Sequence, residues 1–136
     1  MLMSTEDRSL MERVILLAED EMLVQRVAAR ILSQAGYFVL CCDDGLHALE
    51  LSRKFEGRIH LLLTDLQMPH LNGVELIHRV REERPETRIL AMSGQSMSPG
   101  MADDIPLLQK PFTPATLKAR VSEIISTPLS ASLSEL

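Results

Sequence analysis

The sequence has no tryptophan, one tyrosine and three phenylalanines among 136 residues. So few rings exclude a stacking platform for single-stranded nucleic acid and leave the core to aliphatic side chains. Cysteine is scarce too: Cys41 and Cys42 are the two present. Neighbours on a strand face opposite ways, so these two are poorly placed to bond to each other. Without a second Cys or His pair at ligand spacing they make no zinc site, and they read as small reduced hydrophobes. No apolar run is long. Val14–Ala18, like every other run, falls far short of the roughly 20 residues that cross a bilayer. Glu19, Asp20 and Glu21 follow it too soon for a signal peptide. The expectation is a cytoplasmic protein with no membrane partner. Excess positive charge is missing as well: 14 Lys+Arg against 19 Asp+Glu leave a net charge of −5, which disfavours non-specific nucleic-acid binding.

What is present is an alternation of apolar runs and helical stripes. Val14–Ala18 suits a strand buried on both faces. Leu23, Val27, Ala28, Ile31, Leu32 and Ala35 then recur at helical spacing, with Gly36 as a C-terminal cap. A second strand is expected over 37–42, a turn at Asp43, Asp44 and Gly45, and a helix over 46–55 with Ala48, Leu51 and Phe55 on one face. A third strand over 59–64 ends at Asp65. Met68 to Gly73 lead into a helix whose Val74, Ile77 and Val80 face inward and which stops before Pro85. A fourth strand is expected over 87–92, and only a short helix over 93–104, where Gly94, Pro99 and Gly100 intervene. Leu107–Gln109 is a fifth strand. Thr113 caps a last helix with Pro114 in its first turn and Leu117, Val121, Ile124 and Ile125 as its buried stripe. Residues 1–12 read as an N-terminal arm, 13–126 as one domain and 127–136 as a tail or truncated linker. Strands alternating with helices mean a doubly wound parallel sheet covered on both faces. Ligands in such α/β sheets bind at the carboxyl ends of the strands.

Those ends carry the chemistry. Glu19 and Asp20 follow the first strand, Asp65 the third, Ser93 the fourth and Lys110 the fifth. Three carboxylates brought together repel one another, and a divalent cation relieves the repulsion. An oxygen-only ligand set suits Mg²⁺, which retains waters and favours phosphate. Lys110 adds a positive charge and Ser93 a donor, so the constellation describes a pocket for a phosphoryl group held on Asp65. Each piece alone has a plainer reading as a turn, a cap or a strand end; their order, each after a strand, is the signal.

The stretches 14–21 (VILLAEDE), 62–69 (LLTDLQMP), Asn72-Gly73, 91–94 (AMSG) and 110–112 (KPF) resemble the receiver domain of two-component response regulators, over roughly residues 12–126. The resemblance implies a flavodoxin-like five-stranded sheet. It implies Asp65 as phosphoacceptor, Glu19 and Asp20 as the acidic pair that binds Mg²⁺, and the backbone carbonyl of Gln67 as a further metal ligand. It implies Ser93 as the switch hydroxyl, Lys110 as the phosphoryl-pairing lysine and a cis bond between Lys110 and Pro111. The implied partners are a sensor histidine kinase or histidine phosphotransfer protein and an output protein of unknown identity. The chain would catalyse only its own phosphorylation and dephosphorylation.

The chain departs from the family in two places. Leu107 stands where the family usually has Tyr or Phe, and the distance from Ser93 to Lys110 is short, so the fourth helix is expected to be reduced, as in receivers of hybrid sensor kinases and some single-domain regulators. The main alternative is a receiver-like binding module that takes no phosphate. A flavin-binding protein would need a phosphate-cradling loop where Glu19, Asp20 and Glu21 stand. An aspartyl-phosphate hydrolase would keep an acid at the position of Gln67, and a P-loop or a G-x-S-x-G elbow is absent.

Overall fold

The computed structural model describes residues 12–94 and 104–127. Five strands, β1 (Val14–Ala18), β2 (Phe38–Cys42), β3 (Leu61–Asp65), β4 (Arg88–Ser93) and β5 (Leu107–Gln109), form one parallel sheet in the order β2-β1-β3-β4-β5. The helices among the described residues are α1 (Met22–Gln34), α2 (Gly45–Lys54), α3 (Gly73–Glu83) and α4 (Pro114–Ser126). Strand order reverses beside β1, so β1 and β3 part at their carboxyl ends and open a crevice there.

The two faces of the sheet bury alternate residues of the same strands, as the period of two requires. Leu16, Leu62 and Ala91 pack under Ala48, Leu49, Leu76, Ile77 and Val80 of α2 and α3. Ile15, Leu17, Leu61, Leu63, Leu90 and Met92 pack under Ala28 and Leu32 of α1 and Leu117, Val121 and Ile125 of α4. The fully buried core holds no aromatic side chain, as the shortage of rings implied, and Phe55, Tyr37 and Phe112 pack partly buried at its edges. Side-chain caps start three of the helices: Asp44 accepts from the His47 amide, Asn72 from Glu75 and Thr113 from Thr116.

The expected elements are present, with several corrections. Leu23 and Val27 do not face inward; they are 78% and 53% exposed, and Ala35 is exposed beyond the last helical residue. The inner face of α1 instead runs through Val24, Gln25, Ala28 and Leu32. Gln25 is turned inward because its amide donates to the carbonyls of Glu19 and Cys42, at 3.0 and 3.1 Å, and that sets the phase of the helix. Gly45 is the first residue of α2 rather than part of a turn. A Cβ there would lie 1.8 Å from the carbonyl oxygen of Leu71, so only glycine lets α2 approach the loop before α3. Phe55 lies just past the end of α2, Asp65 and Ser93 belong to their strands, and Tyr37, Ile59, His60 and Thr87 precede theirs. Cys41 is exposed and Cys42 buried, both as free thiols. The short segment expected between Ser93 and Asp104 lies, for residues 95–103, outside the described residues, as do 1–11 of the arm and 128–136 of the tail. No helix among the described residues is long and apolar enough to cross a membrane.

Candidate functional site

The carboxyl ends of β1, β3, β4 and β5 bring the expected residues together. Backbone hydrogen bonds continue past the strands and fix the loops that carry them. The Glu19 amide donates to Cys42, Leu66 to Met92 and Lys110 to Ser93, at 3.0, 3.1 and 2.8 Å. Gly73 ties α3 to the same place. Its amide donates to the Leu66 carbonyl, and a Cβ there would stand 2.1 Å from the Asp65 carbonyl oxygen. That close approach is the physical reason for a glycine after Asn72.

One carboxylate oxygen from each of Glu19, Asp20 and Asp65 lies within 4.8 Å of the others. The three differ in environment: Glu19 is fully buried, Asp65 is 8% exposed and Asp20 faces solvent. Lys110 reaches into the group, its Nζ 2.6 Å from Glu19 Oε1 and 3.0 Å from Asp65 Oδ2. The Lys110–Pro111 bond is cis, matching what the resemblance implied. The remaining carboxylate oxygens take backbone donors, Glu19 Oε2 from the Glu21 amide at 3.1 Å and Asp65 Oδ1 from the Gln67 amide at 3.2 Å. Gln67 is therefore at the site through its N–H. Ser93 is buried at the end of β4, directly bonded through its carbonyl to the Lys110 amide.

The electrostatics are unbalanced. Burial pushes the Glu19 carboxyl up to about 7 from an ordinary 4.5, against the lowering effects of Lys110 and the Glu21 amide and with the Asp65 charge adding to the rise. Burial alone would lower Lys110, but its close ionic contact with Glu19 and its hydrogen bond to and charge interaction with Asp65 outweigh that and raise it. Glu19 Oε1 has the ammonium as a close ionic neighbour and yet makes no hydrogen bond of good geometry. A buried oxygen without a hydrogen bond, among three converging carboxylates, fits a small hard cation such as Mg²⁺.

The sequence reading missed Gln25, which clamps the Glu19 loop to the end of β2. A lone polar residue inside the apolar stripe of an otherwise amphipathic helix was the available signal. It also missed that Lys110 is held by Glu19 as well as by Asp65.

A model of the response regulator receiver domain matches residues 15–122. The chain is 38% identical over 103 residues to the response regulator receiver protein CpdR of Brucella abortus (strain 2308), covering 72% of this chain and 84% of that one. The crystal structure of the receiver domain of the hybrid histidine kinase CckA is 34% identical, with a TM-score of 0.73 over 83% of this chain and 99% of that one. A response regulator receiver protein from Sinorhizobium medicae WSM419 gives a TM-score of 0.79 at 28% identity, over 87% of this chain and 98% of that one. By sequence, fold and the convergence of its acidic residues, the chain belongs to the response regulator receiver domain family.

Proposed function

We propose that Asp65 takes a phosphoryl group from a phosphohistidine of a partner, a sensor histidine kinase or a histidine phosphotransfer protein, and that hydrolysis later resets the chain. The convergence of Glu19, Asp20, Asp65 and Lys110 at one end of the sheet carries this reading. An Asp65 carboxylate oxygen forms a bond to phosphorus as the phosphorus–nitrogen bond breaks, and the electron pair returns to the partner's imidazole. Glu19, Asp20, Asp65 and the carbonyl of Gln67 would hold Mg²⁺. Bound there, the ion supplies positive charge to the phosphoryl oxygens, where such reactions gain most from positioning and electrostatics. Lys110 neutralises charge beside Asp65, and the Ser93 hydroxyl is the donor that meets the transferred group. In the resetting step, water attacks phosphorus as the Asp65 oxygen–phosphorus bond breaks, the electron pair returns to the carboxylate, and inorganic phosphate leaves with the proton released to solvent. The chain acts on no other substrate.

The partner has a surface to meet. Met22, Leu23, Val27 and Leu46 are exposed on the first turns of α1 and α2, at the same end of the sheet as Asp65. Apolar side chains left in water beside a site are a usual mark of a docking surface.

The test is intact mass after incubation with a small phosphodonor and Mg²⁺. One phosphoryl group is expected on the parent and none on Asp65→Asn or in excess chelator. Equal labelling of the parent and Asp65→Asn would remove Asp65 from the mechanism, and no labelling of either would leave a binding module.

A further inference from the structure

The opposite end of the sheet carries the opposite charge. The strands are parallel, so residues at their amino ends lie together: Arg13 before β1, Arg58 and His60 before β3, and Arg88 at the start of β4. These groups act on one another. After burial, the charges of Arg58 and Arg13 lower Arg88, and after burial those two and Arg88 lower His60. Among the described residues, Arg13, Arg58 and Arg88 form no ion pair. Arg88 instead donates through Nε and Nη2 to the carbonyl of Thr127, a neutral acceptor that leaves its charge uncancelled. Neighbouring arginines are neutralised, Arg81 by Asp104 at 2.7 Å and Arg120 by Glu123 at 3.1 Å. Arg13, Arg58 and Arg88 thus lack the paired carboxylate that Arg81 and Arg120 have.

Arg88 also lines a cleft of about 630 Å³ between the last turns of α4, the start of β4 and the residues before β5. Its apolar wall is formed by Ile89, Ile105 and Ile124 with two prolines. That volume lies within the range of ordinary binding pockets. The cleft joins an aliphatic wall to a rim on which Arg88 is the cation without a carboxylate; Asp104 and Glu123 in the same lining are paired with Arg81 and Arg120, and Arg13 and Arg58 stand outside the lining, before β1 and β3. A bare phosphate or a nucleic-acid backbone would use the rim and leave the wall wet.

We propose that this end of the sheet docks an acidic peptide segment of a partner protein, its aliphatic side chains against Ile89, Ile105 and Ile124 and its carboxylates on Arg13, Arg58 and Arg88. Charge complementarity selects the occupant. The chain is acidic overall, with a net charge of −5, so its other surfaces repel such a segment and orient it onto this patch. The site lies at the far end of the strands from Asp65, so a phosphoryl donor and this segment can be bound together. The proposal does not depend on the phosphoacceptor assignment.

The test uses the full chain and two fluorescein-labelled peptides, one alternating glutamate and leucine and one of glutamate alone with the same charge. The alternating peptide should bind more tightly and shift the methyl resonances of Ile89, Ile105 and Ile124. Arg13→Glu combined with Arg58→Glu, both exposed and outside the core, should weaken binding by about tenfold or more without lowering the melting temperature. Equal binding of the two peptides with unmoved methyls would reduce the patch to bare charge attraction and overturn the proposal. So would no binding, or binding unchanged in the double variant. Contacts from residues 128–136 to the isoleucine methyls before peptide is added would assign the cleft to the chain itself, and would overturn it equally.

Discussion

The two ends of the sheet concentrate charge of opposite sign and hold it differently. At the carboxyl end, Glu19 and Asp65 share Lys110 beside Asp20, and the most buried of the three carboxylates, Glu19, carries the largest burial cost. At the amino end, Arg13, Arg58 and Arg88 have no carboxylate of their own among the described residues and stay nearer to water. Between them the strands are filled with leucine, isoleucine, alanine and methionine. The stable middle lets both ends keep charge arrangements that folding alone would not favour, and such arrangements mark places where a ligand relieves them. The difference in burial sets how much each end costs, and it can be measured.

Removing the cation from the carboxyl end gives the largest effect. Lys110→Ala leaves Glu19 fully buried without its ionic neighbour at 2.6 Å, which should cost on the order of 3 kcal/mol at pH 8. Near pH 5 the Glu19 carboxyl takes up a proton and the loss should shrink. Arg58→Ala at the other end removes an exposed charge and should stay within about 0.5 kcal/mol of the parent. Urea unfolding of both variants at the two pH values makes the comparison. A Lys110→Ala loss that is the same at both would show that packing, not charge, is what the lysine supplies.

Glu19 sharpens the same contrast at a smaller scale. Its folded value of about 7 stands above its ordinary 4.5, so the ionised form is disfavoured by folding. The stability it contributes is complete below about 4.5 and is lost as pH rises through 7. In metal-free buffer the parent should therefore weaken across that window, by up to about 3 kcal/mol. Glu19→Gln should remove the loss towards alkaline pH and be the more stable of the two at pH 8. A Glu19→Gln variant that loses as much stability as the parent between pH 5 and 8 would mean that Lys110 fully compensates the buried carboxylate.

Much of this site was legible in the sequence because it hangs on the ends of apolar runs. Asp65 closes Leu61–Asp65, Lys110 follows Leu107–Gln109, and Glu19 follows Val14–Ala18, and a parallel sheet must gather such ends. The phase of α1 was not legible. Leu23 and Val27 fit an apolar stripe, whereas the helix turns Gln25 inward to bind two carbonyls of neighbouring strand ends, and that partnership exists only in three dimensions. The start of α2 at Gly45 depends on the backbone of Leu71, again a contact between distant residues. The basic cluster was hidden for a related reason. Arg13, Arg58 and Arg88 are scattered along the chain and meet only because each lies at or shortly before the start of a strand, and a net negative composition points away from them.

His60 provides the smallest of these effects and the one that separates the two ends most cleanly, because its sign is reversed. Its Nδ1 accepts a hydrogen bond from the Val14 amide at 3.0 Å, so the folded ring is neutral at that nitrogen. Burial, followed by the charges of Arg58, Arg13 and Arg88, lowers its folded value below the ordinary 6.5. The stability it contributes is complete above 6.5 and is lost as pH falls through the lower folded value. Protonation at Nδ1 removes the acceptor and leaves the Val14 amide unpaired, worth about 1 kcal/mol. The amino end therefore weakens with acid over the range in which Glu19 makes the carboxyl end weaken with base. In a Glu19→Gln background, where the opposing slope is gone, acid destabilisation below pH 6.5 should be visible in melting curves. His60→Gln, whose side-chain carbonyl can still accept from Val14, should lose that slope while keeping most of the stability at pH 7.5. Adding Arg58→Ala should move the His60 transition towards higher pH, because one of the charges that opposes its protonation is gone. An acid limb that persists unchanged in His60→Gln would place the responsible group elsewhere and dissolve this half of the contrast.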